Sequence, residues 1–114
     1  MNLMIGQQRA GAVTVLCLNG RIVVGEESTR LLETLRELAA GGEKKILLNL
    51  GEVTYLDSAG LGALVRSRTA LAEQKGQLKL LHVPAKILTL LKITKLQHLF
   101  EMFDDEATAV ASFG

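Results

Sequence analysis

The run Ile46-Leu47-Leu48-Asn49-Leu50 constrains the fold more than any other stretch of this sequence. It is of strand length, bounded by Lys44 and Lys45 on one side and by Gly51 on the other, and nearly continuously apolar. A strand with one solvated face alternates between apolar and polar residues. One without a polar face must be covered on both sides, as a central strand of an α/β sheet is. The neighbouring segments can supply that cover. Leu31, Leu32, Leu35 and Leu38 fall at i, i+1, i+4 and i+7, the stripe of an amphipathic helix that starts at Glu26 and stops at Gly41-Gly42. Leu61, Leu64, Val65, Leu71 and Ala72 mark a second helix ending near Gly76.

The remaining segments extend the same alternation. Met4–Arg9 and Val13–Asn19 flank Gly11 as the arms of a hairpin. In the second arm Val13, Val15 and Cys17 alternate against Thr14, Leu16 and Leu18. Gly20 and Gly25 are expected to bracket a short extended connection. Val53–Leu56 runs into Asp57 and Ser58, Leu78–Val83 is a further strand, and Pro84 fits the first turn of a third helix through about Ile93. A short apolar segment, Leu99–Phe103, precedes a last helix opened by Asp104 and Asp105. The expected fold is α/β: a mixed, mostly parallel sheet with a leading hairpin and about four helices. No linker, repeat or low-complexity tract divides the chain, so residues 1–114 are expected to form a single domain.

Composition removes several function classes. The core is aliphatic, with 22 Leu, three Phe, one Tyr and no Trp, which leaves no aromatic platform for stacking single-stranded nucleic acid. A formal net charge of +1 gives no global field to select an anionic partner. Lys75 to Lys95 holds five lysines and no acid, most simply a solvated face, with an acidic partner or anionic lipid as the alternative. Without arginine or aromatic interleaving it argues against nucleic-acid binding. Cys17 has no partner for an internal disulfide or a Cys-rich zinc site and is expected to be a small core residue, and neither metal nor cofactor is expected. Ala10–Gly20, the longest uncharged stretch of the first half, is far too short to span a membrane, and Met1–Gln8 is too short and mixed for a secretory signal. A cytoplasmic protein without membrane insertion is expected.

The chemistry concentrates at Asp57-Ser58-Ala59-Gly60-Leu61-Gly62, a strand-to-helix junction in which Ser58 is placed to cap the helix. Ala59, Gly60 and Gly62 keep the first turn open. Two readings of these residues stand: a structural cap with glycines for helix–sheet packing, or a surface that another backbone or a phosphate approaches closely. Enzyme signatures are incomplete. Leu56 stands where a serine-hydrolase elbow needs glycine, Val65 takes the third glycine position of a dinucleotide fingerprint, and no Walker lysine follows the glycines. His82 and His98 read as packed or surface residues rather than general bases.

The junction resembles the signature of the STAS domain family, the anti-sigma factor antagonists, in which a strand is followed by Asp-Ser-Ser/Thr-Gly-Leu-Gly opening a helix. Ile46–Leu50 with Val53–Asp57 is similar to the family's "V-L-D-L … V-x-F-L-D-S" segment. Pro84-Ala85 with Leu91, Leu96 and Phe100 is similar to its "S-P-x-V … L … L … F" segment. The resemblance implies a STAS fold and a non-catalytic protein-interaction module. Its partner would be an anti-sigma factor with serine kinase activity, which phosphorylates Ser58 and thereby ends the binding. A phosphoserine phosphatase would reverse the switch. Asp57, Ser58, Ala59, Gly60, Leu61 and Gly62 would form the partner-binding surface. A STAS subunit of a stress-sensing or lipid-transport complex is the alternative within the fold, and a small serine- or nucleotide-dependent enzyme the alternative outside it. The chain departs from the pattern at Ala59, which replaces the second hydroxyl, and at Arg21 and Val23, which stand where the family usually has acids.

Overall fold

In a computed structural model, which describes residues 3–114, five strands form one sheet in the order β1-β2-β3-β4-β5. Met1 and Asn2, the first residues of the expected domain, lie outside the described residues. β1 (Leu3–Ala10) and β2 (Val13–Ile22) form the antiparallel hairpin, turning at Gly11, whose φ of 63° suits glycine. β3 (Lys45–Leu56), β4 (Gln77–Leu81) and β5 (Met102–Phe103) then add in parallel. α1 (Glu26–Ala40), α2 (Ser58–Glu73) and α3 (Ala85–Ile93) are the successive crossovers. When consecutive parallel strands are laid down in one direction with right-handed connections, every crossover falls on the same face of the sheet.

The core follows from that placement. On the crossover face, Leu16, Leu18, Ile46, Leu48, Leu50 and Leu80 meet Leu31 and Leu35 of α1, Leu64 and Leu71 of α2, and Ile87 and Leu91 of α3. The opposite face carries a smaller cluster, in which Val13, Val15, Leu47 and Leu81 are covered by Ala109 and Phe113, from α4 (Glu106–Ala111) and the residues just beyond it. Ile46, Leu48 and Leu50 thus face one layer and Leu47 the other, as the continuous apolar run requires.

Lys79 secures α4 from inside the sheet. It is only 4% exposed, its Nζ donates to the carbonyl and hydroxyl oxygens of Ser112 at 3.0 Å each, and it lies 4.7 Å from the Phe113 ring centroid. Cys17, expected in the core, is half-buried at the margin of the smaller cluster, because the six-residue α4 is too short to cover that end of β2.

Three boundaries differ from expectation. β2 does not end at Gly20. Register shifts between Cys17 and Asn19 and between Gly20 and Arg21 carry it on to Ile22, so the expected Gly20–Gly25 connection shortens to Val23–Gly25. β4 stops at Leu81 rather than Val83, because His82 takes a left-handed φ of 55° and turns the chain away. Pro84 is the residue before α3 rather than within its first turn.

Candidate functional site

Asp57 is the structural centre of the strand-to-helix junction. Its backbone is extended, with φ −96° and ψ −176°, and its Oδ1 accepts from the Gly60 N–H at 2.8 Å. Asp57 is therefore the cap of α2, and Ser58, expected to cap, is the first helical residue. Both residue types cap well. The choice falls on Asp57 because its second oxygen, Oδ2, also accepts from the Val24 N–H at 2.9 Å, across 33 residues of chain. One carboxylate so fastens the β2–α1 loop to the start of α2. The Gly60 N–H and, second, the Val24 N–H hold the Asp57 carboxyl below the usual carboxylate range, against a smaller opposing effect of desolvation.

Gly60 completes the fastening. A methyl group there would lie 2.1 Å from the carbonyl oxygen of Ile22 and 2.8 Å from Leu56 Cδ1, so the first turn of α2 sits directly on the end of β2. Gly62 is different. The nearest atom to a methyl group there is the flexible end of Arg66, at 3.1 Å. Gly60 and Leu61 are buried, Asp57, Ala59 and Gly62 half-buried, and Ser58 exposed. Of the six residues singled out in the sequence, Gly60 and Leu61 support the surface from beneath and Ser58 presents to solvent.

The surroundings of Ser58 include residues that sequence reasoning did not single out. Val24 is 72% exposed and Tyr55 is 53% exposed, two large apolar side chains left in water on the segments that flank Ser58. Arg21 pairs in register with Tyr55 across β2 and β3, and its guanidinium lies 5.5 Å from the Tyr55 ring centroid. The extension of β2 through Gly20 sets it over the ring. Val23 is half-buried, and its carbonyl accepts from Ser28 N–H at 3.1 Å. His82 follows β4 and His98 lies in a single 3-10 turn, Gln97–Leu99. No cluster of three or more metal-ligating side chains occurs among the described residues, and no helix there is long and apolar enough to cross a membrane.

The STAS domain family model matches residues 6–109. The chain belongs to the STAS domain family. The anti-sigma-B factor antagonist of Staphylococcus aureus is 36% identical over 80 residues, covering 70% of this chain and 72% of that protein. Among solved structures, TM1081 of Thermotoga maritima superposes with a TM-score of 0.87 at 23% identity, over 96% of this chain and 93% of that one. The Bacillus cell fate determinant SpoIIAA in its phosphorylated form superposes with a TM-score of 0.76 at 16% identity, over 97% of this chain and all 100% of that one. The STAS fold, a mixed five-stranded sheet with a leading hairpin, is thereby established for this chain.

Proposed function

We propose that this STAS domain is an anti-sigma factor antagonist of the cytoplasm, without catalytic activity of its own. It binds an anti-sigma factor that is also a serine kinase, and phosphorylation of Ser58 ends that binding until a phosphoserine phosphatase restores it. The observation that carries the reading is the separation of Ser58 from its neighbour. Asp57 caps the helix and ties the loops, whereas Ser58 is exposed on the first turn with Val24 and Tyr55 exposed on the flanking segments. A hydroxyl so placed can be modified without dismantling the junction.

Electrostatics supports a switch of this kind. A phosphoserine adds about −1.5 to −2 charges at neutral pH. The Gly60 N–H already serves Asp57, so the new dianion finds a neighbouring carboxylate and few free donors. In solvent this is tolerated, helped by roughly 0.3–1 kcal/mol from the helix dipole. Beneath a partner the same charge is desolvated beside Asp57, and each 1.4 kcal/mol lost there is about tenfold in affinity. Arg21, Val23 and Ala59 remain departures from the family pattern, and they bear on which kinase recognises the site.

The test is direct. The chain is incubated with ATP and a candidate anti-sigma factor of the histidine-kinase-like serine kinase type, and modification is read by intact mass and site mapping. One phosphate on wild type and none on Ser58→Ala is the expected result. Phosphate still added to Ser58→Ala removes the assignment.

A further inference from the structure

β3 outruns its neighbour. Its pairing with β4 ends at Asn49–Leu81, because the chain turns away at His82, while β3 continues to Leu56 against β2 alone. The place that a longer β4 would occupy is an open groove of about 560 Å³, walled by Val53, Tyr55 and Leu56 on one side and by Pro84, Ile87 and Leu90 on the other. Lys86 is the one charged residue in its wall among the described residues. Glu52, the nearest acid preceding it on β3, is not part of the wall. Arg21 lies over Tyr55, and α3 contains Lys86 and Lys92 and no acid. The groove is therefore apolar inside and basic at its edges, and its β3 wall ends at Leu56, one residue before Asp57.

We propose that this groove receives an apolar, acid-flanked segment of the protein partner, with its apolar side chains against Tyr55, Leu56 and Ile87 and its acids toward Arg21 and Lys86. Charge complementarity selects this occupant: a basic segment would meet Arg21 and Lys86 with no carboxylate in the wall to offset them, Asp57 lying past the end of the wall with both oxygens engaged by the Val24 and Gly60 N–H groups. Arg21, held over the Tyr55 ring at the groove's edge, becomes a residue that sets partner choice by charge. The inference rests on the reading of the Ser58 face as the partner-binding face, and it adds the chemistry of what lands there.

Tyr55 gives the groove its own reporter, since the chain has no Trp and no other Tyr. Two synthetic peptides without Tyr or Trp, identical in their Leu and Phe positions and carrying either Glu or Lys elsewhere, are titrated against the full chain. Tyr55 fluorescence and backbone amide NMR shifts are recorded. The Glu peptide is expected to bind at least tenfold tighter than the Lys peptide and to shift Val53–Leu56 and Ala85–Leu90. Arg21→Glu with Lys86→Glu, both exposed positions, should reverse that preference while the thermal melt stays near wild type. Equal affinity for the two peptides, or shifts confined to another surface, overturns the proposal. A Tyr55 response to anionic phosphatidylglycerol vesicles but to neither peptide overturns it in favour of a lipid surface. The peptide titration does not depend on the kinase. Selective Glu-peptide binding by a chain that no anti-sigma factor binds or phosphorylates would leave the groove standing and remove the proposed function. The converse result would do the opposite.

Discussion

Substituting alanine separately at Gly60 and Gly62 should move stability in opposite directions, although both are glycines of one helix two residues apart. At Gly60 the new methyl lands 2.1 Å from the Ile22 carbonyl oxygen and 2.9 Å from its carbon, both backbone atoms. Reaching the 3.0 Å below which real contacts essentially never fall requires about 0.9 Å of movement. Neither side yields easily. The Asp57 N–H donates to the same Ile22 oxygen at 3.3 Å, and the Asp57 carboxylate holds Gly60 and Val24 together. Overpacking of this kind costs roughly 1–3 kcal/mol and more where backbone must move, outweighing the gain of about 1 kcal/mol from replacing glycine in a helix. At Gly62 the methyl meets only the mobile guanidinium of Arg66, so up to about 1 kcal/mol of that gain is kept. The two variants should differ by about 3 kcal/mol, which for a domain of this size is on the order of 10 °C in Tm. Urea and thermal denaturation followed by circular dichroism measure it. A Gly60→Ala chain that melts at or above wild type would falsify the picture of α2 seated on the end of β2. A Gly62→Ala chain that falls as far would show that something other than Arg66 occupies that space.

The Asp57 carboxyl titrates below its unfolded value, so its stabilisation is present at neutral pH and is lost as pH falls through the folded value. Asp57→Asn should therefore be less stable than wild type at pH 7, with the gap closing below about pH 4 as the wild-type carboxyl protonates. A gap constant from pH 7 to pH 3 would show that its charge is not what holds the loops. Ser58→Asp should keep its Tm within about 2 °C of wild type, since Ser58 is exposed and does not cap, and should weaken anti-sigma factor binding in a titration. Unfolding of that variant would mean that the hydroxyl supports the junction after all. Lys79→Ala should cost about 2–3 kcal/mol and loosen Ala109–Phe113 in hydrogen exchange, because the Ser112 oxygens lose their donor and the Phe103 and Phe113 rings lose the ammonium beside them. Lys79→Met, which keeps the stem, should lose less.

The parts of this molecule that could be read from sequence are those set by local pattern. Ile46–Leu50 announced a strand covered on both faces, and the leucine stripe from Leu31 to Leu38 announced the helix that covers one of them. What escaped depended on distant partners. Whether Asp57 or Ser58 caps α2 is decided by the Val24 N–H, and nothing near Ser58 in the sequence places Val24 there. The end of β2 was hidden because Gly20 looks like a stop, whereas here two register shifts let the strand pass through it. Tyr55 was unremarked for a similar reason. What lies against its ring is Arg21, its register partner on β2, which stands 34 positions earlier in the chain.

Those distant partners also explain how a modifiable residue can sit at so tightly built a junction. A helix N-terminus offers its unpaired N–H groups to whichever oxygen arrives first. If Ser58 supplied the cap, phosphorylating it would remove the cap and add charge in one step, and fold and signal would change together. Here Asp57 takes the Gly60 donor and draws in Val24 as well. The carboxylate spends its lone pairs on holding loop, strand and helix in place, and the serine beside it has no such duty among the described hydrogen bonds. A chain of formal net charge +1 then changes sign when about two negative charges are added at Ser58, with its core untouched. That charge would be added on the exposed first turn of α2, beside the carboxylate that already holds Val24 and Gly60, so a partner covering that turn would feel it while the junction stays tied.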